Sequence, residues 1–177
     1  MVQLHDKKFE IFIAAEEIEF AIQNMAKQIE ADFYEETPVF IGVLNGSFRV
    51  VADLMKFYDR PCEVSFVKVS SYEGTESTGD VQELIGLGMD VSQRTVILVE
   101  DIVDTGNTIE VLTKQFKNLN AKHVRIATLF LKPDAYKKDI KLDYVGIRIP
   151  NKFIVGYGLD YDGLGRNLKD VYQLAIS

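Results

Sequence analysis

The chain has 177 residues, of which 47% are hydrophobic and 27% charged, with a formal net charge of −7. That length allows one domain with a substantial core, and an acidic chain has no general field to neutralise phosphates, which argues against nucleic-acid binding. No apolar run approaches the roughly 18 residues of a membrane helix, and the lone cysteine, Cys62, permits no intrachain disulfide, so the chain reads as a cytoplasmic globular protein with no membrane partner.

The opening "MVQLHDKKFEIFIAAEE" has no basic segment leading into an apolar one and does not read as a signal peptide. Ile18, Ile22, Met25 and Ile29 fall at helical spacing, which predicts an amphipathic helix over Glu16 to Phe33. "PVFIGVL", Pro38 to Leu44, is a short apolar run ending at "NGS", hence a buried strand and a turn. "FRVVADLMKFYD" has helical character, Cys62 to Tyr72 reads as a strand, and "EGTESTGD" reads as an exposed polar loop. "RTVILVED" predicts a second buried strand, followed by a helix with Ile109, Leu112, Phe116 and Leu119 on one face. "HVRIATLFLK" is another strand, and "YVGIRIP", "FIVGYGL" and "DVYQLAI" are shorter ones. Nothing divides the chain, so residues 1–177 are expected to form a single domain. Strands that are apolar throughout and alternate with helices imply an α/β fold, a parallel sheet flanked by helices. Ligands of such sheets sit at the carboxyl ends of the strands, here "LNGS", "EDIVDTGNT" and "LKPD".

The loop "DTGNT" has the parts of an anion nest: Gly106 to turn the backbone, hydroxyls on Thr105 and Thr108, and a helix start with free N–H groups. No Walker pattern occurs, and the G-x-G pairs at Gly86/Gly88, Gly156/Gly158 and Gly163/Gly165 lack a third glycine at dinucleotide spacing. A plain helix cap would also use Asp104 and Thr105. Adjacent Glu100 and Asp101 would repel each other at a ligand edge unless something there suits carboxylates, such as a sugar diol or Mg²⁺. Phosphoribosyl pyrophosphate combines a monoester phosphate, a diol and a magnesium-binding pyrophosphate. The nest would hold the phosphate, Glu100 and Asp101 the diol and metal water, and Asp104 is left for chemistry.

"VILVEDIVDTGNT" resembles the signature of the type I phosphoribosyltransferases. "SSYEGTESTGDV", "LFLKPDA" and "LDYVGIRIPNKFIVGYGLDYDGLGRNL" resemble the hypoxanthine-guanine members, over a stretch from about Pro38 to the C-terminus. The resemblance implies the family's parallel-sheet core with a small hood segment and a mobile loop that includes Ser71 and Tyr72. It implies transfer of phosphoribose to N9 of a 6-oxopurine, in the purine salvage of hypoxanthine and guanine. Asp104 then matches the acid that exchanges a proton with N7, within a phosphoribosyl site that runs through Glu100, Asp101, Thr105, Gly106, Asn107 and Thr108. Lys132 matches the donor to the purine O6, Phe153 stacks on the base, and Ile154 presents backbone groups to its edge. Asp160 lies near base and metal, so Glu100, Asp101 and Asp160 are the implied Mg²⁺ set. Asn45, Gly46 and Arg166 match the pyrophosphate end.

One departure stands out: many relatives carry a basic residue before the glycine of "LNGS", where this chain has Asn45, which leaves more to Arg166. The resemblance also implies a homodimer or homotetramer. Two alternatives are a xanthine-preferring enzyme and a regulator that senses phosphoribosyl pyrophosphate. The regulator would need a basic nucleic-acid face, and this sequence shows none.

Overall fold

The computed structural model describes residues 1–69 and 84–175, giving the backbone alone at 84 and 85. The expected mobile loop with Ser71 and Tyr72, the polar loop, and the end of the strand predicted for Cys62 to Tyr72 lie outside the described residues. In chain order the elements are β1 (Val2–Leu4), β2 (Lys7–Ile13), α1 (Ala15–Asp32), β3 (Val39–Val43), α2 (Phe48–Phe57), β4 (Glu63–Val69) and β5 (Leu84–Ile85). Then follow β6 (Thr95–Val103), α3 (Asn107–Asn118), β7 (His123–Leu131), β8 (Tyr144–Arg148), β9 (Ile154–Val155) and β10 (Val171–Leu174).

The larger sheet has the order β5-β4-β3-β6-β7-β8. Its five strands from β4 to β8 run parallel, and only β5 is antiparallel. Alternate residues of β3 enter opposite cores, since side chains of a strand point to opposite faces. Phe40 packs with Ile22, Met25 and Leu54 of α1 and α2, while Val39 and Ile41 pack with Leu112 and Phe116 of α3. Both faces are therefore covered, which is why β3 and most of β6 are apolar without alternation. From β3 the chain passes to β4 on one side, and from β6 to β7 on the other. The carboxyl ends of β3 and β6 thus flank the switch point of the sheet, where a crevice opens.

A second, antiparallel sheet of order β1-β2-β10-β9 joins the two ends of the chain around Phe9, Val155 and Tyr172. Sequence periodicity does not predict the strands in the first 13 residues. In "KKFEIFI" Phe9 and Ile13 are buried while Ile11 is 56% exposed, so the short alternation is broken by an outward isoleucine. "FIVGYGL" yields only the two residues of β9, because the backbone turns at Gly156, Tyr157 and Gly158, all at positive φ. Leu119, expected on the apolar face of α3, is its C-cap and is 43% exposed.

Candidate active site

β6 ends in Glu100–Val103, and the loop from Asp104 leads into α3. Gly106 is the residue before that helix, in the left-handed region at φ 87°, and a Cβ on it would lie 2.5 Å from Tyr136 Cε2. The N-cap position of α3 is Gly106, so neither Asp104 nor Thr105 occupies it as a plain helix cap would. Asp104 turns instead to the neighbouring strand end, where its Oδ2 accepts a hydrogen bond from Lys132 Nζ at 2.9 Å. The helix N–H groups stay available, in a cavity of about 110 Å³ lined by Glu100, Asp104, Thr105, Asn107 and Thr108 among others.

Glu100 and Asp101 are not solvated strand-end charges: they are 6% and 9% exposed. Burial, and then the neighbouring Asp101, push the Glu100 carboxyl well above its ordinary range. Burial also raises Asp101 to about 6, against the opposing pull of backbone N–H groups and of Arg166. Asp101 Oδ1 accepts the Ile102 N–H at 2.8 Å, and Oδ2 faces Gly46. A second cavity of about 300 Å³ lies between the β3 and β6 ends, lined by Asn45, Gly46, Asp101 and Arg166. Glu100 and Thr108 line both cavities, so the two adjoin. The glycine loop is packed from the other side as well: a Cβ on Gly158 would meet the Gly46 carbonyl oxygen at 2.2 Å. Arg166 reaches over this contact, donating from Nη1 to the Gly158 carbonyl at 2.7 Å and pairing Nη2 with Asp160 Oδ1 at 2.6 Å.

Lys132 follows β7 directly. Its amide bonds the Val103 carbonyl at 3.1 Å and only 9% of the residue is exposed, so it is not the solvated strand-end lysine its sequence position alone suggests. Phe153 is 50% exposed and lines a separate cavity of about 440 Å³ together with Asp160. Ile154 is in β9, the edge strand of the smaller sheet, whose outer backbone groups have no strand partner among the described residues.

A family model described as the phosphoribosyl transferase domain matches residues 10–162. This chain belongs to the phosphoribosyltransferase family. It is 43% identical to a hypoxanthine-guanine phosphoribosyltransferase of Streptococcus mutans, over 98% of this chain and 99% of that one. A relative of the same description from Streptococcus pyogenes is 45% identical over 82% of each chain. The crystal structure of a hypoxanthine-guanine phosphoribosyltransferase from Bacillus anthracis superposes with a TM-score of 0.85 at 36% identity, covering 96% of this chain and all of that one.

In this phosphoribosyltransferase the three carboxylates expected to serve a metal, Glu100, Asp101 and Asp160, do not make a ligand cage. Among the described residues no three His, Cys, Asp or Glu side chains cluster in that way. The donors fit Mg²⁺ differently. Asp101 is a buried carboxylate on the wall of the cavity at the β3 and β6 ends, and Mg²⁺ is commonly held by one or two carboxylates, waters and substrate phosphates. Sequence reasoning missed Lys7 and Tyr161, which share the Phe153 cavity. Tyr161 adjoins Asp160 in the chain, but nothing linear signals that residue 7 folds against it. No helix among the described residues is long and apolar enough to cross a membrane.

Proposed function

We propose that this chain transfers the 5-phosphoribosyl group of phosphoribosyl pyrophosphate to N9 of hypoxanthine or guanine, releasing pyrophosphate and IMP or GMP, a purine-salvage reaction. The observation that carries the reading is the Asp104–Lys132 ion pair, 2.9 Å long, at adjacent strand ends, with Asp104 also on the wall of the cavity at the α3 N-terminus. A base with an oxygen at C6 and a nitrogen at N7 offers partners to both members of that pair.

The nest of Thr105, Gly106, Asn107 and Thr108 takes the 5-phosphate on oriented N–H groups and hydroxyls. Glu100 and Asp101 accept hydrogen bonds from the ribose diol. Arg166, with the backbone at Asn45 and Gly46, binds the pyrophosphate end in the cavity they share. Phe153 stacks on the base and the free edge of Ile154 reads its rim. Lys132 donates to O6, which disfavours adenine because its amino group would face a second donor. Asp104 takes or returns the N7 proton as the ring nitrogens change bonding. Asp101 and Asp160 would be the carboxylates offered to a Mg²⁺ that arrives with pyrophosphate, and that ion would neutralise the charge growing on the leaving group. The enzyme is read as cytoplasmic, and as a homodimer or homotetramer, which light scattering on the purified protein would measure.

The test is an absorbance assay with phosphoribosyl pyrophosphate and Mg²⁺, offering hypoxanthine, guanine, xanthine and adenine in turn. Product with the first two, and little with adenine, is expected; no product from hypoxanthine or guanine overturns the reading.

A further inference from the structure

The ring of Phe153 is half exposed, yet a stacking platform works only if its plane is held before the base arrives. Two aromatic neighbours hold it. Tyr161 meets it edge-on, with centroids 5.8 Å apart and planes at 87°, and the fully buried Phe9 lies at 6.2 Å and 37°. Phe9 and Tyr161 also touch each other, at 6.1 Å. Tyr161 is in turn fixed by the turn between β1 and β2. Its hydroxyl accepts a hydrogen bond from Lys7 Nζ at 2.7 Å and donates to Asp6 Oδ1 at 2.8 Å. The same ammonium lies 4.2 Å from the ring centroid, and the His5 ring packs edge-on at 5.5 Å. The hydrogen bonds to the phenol are the largest cause holding the Asp6 carboxyl below its ordinary range and the Lys7 ammonium above its own.

We infer that Tyr161 is a positioning residue for the purine, through which Asp6 and Lys7 set the plane of Phe153 from the far end of the chain. This rests on the reading above that places the base on Phe153. The backbone at Tyr161 has its own anchor, since Tyr161 and Leu164 exchange both N–H bonds, at 2.9 and 3.1 Å. Asp160 is likewise held by the Gly163 N–H at 2.7 Å and by Arg166. Loss of the phenol hydroxyl alone therefore loosens the rings around Phe153 and leaves Asp160 and Arg166 in place. The effect belongs to base binding and not to pyrophosphate.

The experiment compares steady-state kinetics and melting of the wild type, Tyr161→Phe, Lys7→Met, their double variant, and Phe153→Ala. Tyr161→Phe and Lys7→Met should each raise KM for guanine about three- to tenfold, the size of one hydrogen bond. KM for phosphoribosyl pyrophosphate and kcat should stay within about twofold, and the double variant should be no worse than the worse single one, because both break one network. An unchanged guanine KM in Tyr161→Phe overturns the inference. So does a parallel rise of both KM values with a fall in melting temperature, which marks a merely structural role. If Phe153→Ala itself leaves guanine KM unmoved, the base-site reading fails instead.

Discussion

Gly46 and Asp101 approach so closely that the first has no room for a side chain: an ideal Cβ on Gly46 would sit 1.5 Å from Asp101 Oδ2. The two residues come from the ends of adjacent parallel strands, so this contact joins the loop after β3, proposed to hold pyrophosphate, to the acidic pair. Gly46→Ala must therefore displace the Asp101 carboxylate or the loop. The expected cost is about 1–3 kcal/mol of stability, as for other overpacked sites, together with weaker pyrophosphate inhibition. Urea melts check it against an Asp101→Ala background, where the steric cost should shrink. An equal cost in both backgrounds would show that Asp101 is not what the methyl meets.

Burial of Asp101 opposes folding at neutral pH. Its carboxyl titrates near 6 in the folded protein against 3.8 as the ordinary value, so the folded state binds the extra proton between those limits. Stability from this group falls as pH rises through that window and stays low above it. The difference amounts to about 3 kcal/mol, taking one pKa unit as roughly 1.4 kcal/mol. Glu100, also raised, acts in the same direction. Thermal melts without ligand should give a higher midpoint at pH 5 than at pH 8, and Asp101→Asn should be more stable than wild type at pH 8. A variant no more stable there would contradict the assigned burial cost.

Asp104→Asn keeps a hydrogen-bond acceptor near Lys132 but cannot accept a proton. Turnover should fall by about 10²-fold or more while phosphoribosyl pyrophosphate affinity changes little, since the nest and diol pair are intact. Single-turnover rates beside equilibrium binding separate the two, and turnover near wild type would remove Asp104 from the chemistry.

Lys132→Met removes the partner of Asp104 as well as the proposed donor to O6. Hypoxanthine and guanine should bind more weakly by about 1.5–3 kcal/mol, with no gain of adenine use, because the adenine amino group still finds no acceptor. Titration calorimetry with the bases tests this, and unchanged affinity for guanine would reject the assignment.

At the pyrophosphate end, Arg166→Ala should raise the inhibition constant of pyrophosphate strongly, and Arg166→Lys should restore little. A lysine cannot bridge the Gly158 carbonyl and the Asp160 carboxylate with one planar group. Asn45→Lys should lower the constant, with little gain in kcat, because binding that strengthens ground and transition states alike does not speed the reaction. If neither substitution moves the constant at saturating Mg²⁺, pyrophosphate binds elsewhere.

The core strands and helices were legible from sequence because burial on both faces leaves a continuous apolar run, and burial on one leaves a helical stripe. The loop proposed to hold the phosphate could be picked out for a related reason: a phosphate site made of backbone N–H groups needs a glycine and small polar residues next to one another in the chain. The smaller sheet was not legible. β2 is stabilised by β10, some 160 residues away, and its outward Ile11 breaks the short alternation that local periodicity relies on. Whether Asp104 caps a helix or pairs with Lys132, whether Lys132 is solvated or buried, and which carboxylate presses on Gly46 all depend on strand order. Parallel pairing set the ends of β3, β6 and β7 side by side, and only that placement turned separate charges into a site. The chain by itself named the chemical groups; the distances between them, and so their pKa shifts and partners, come from the tertiary fold.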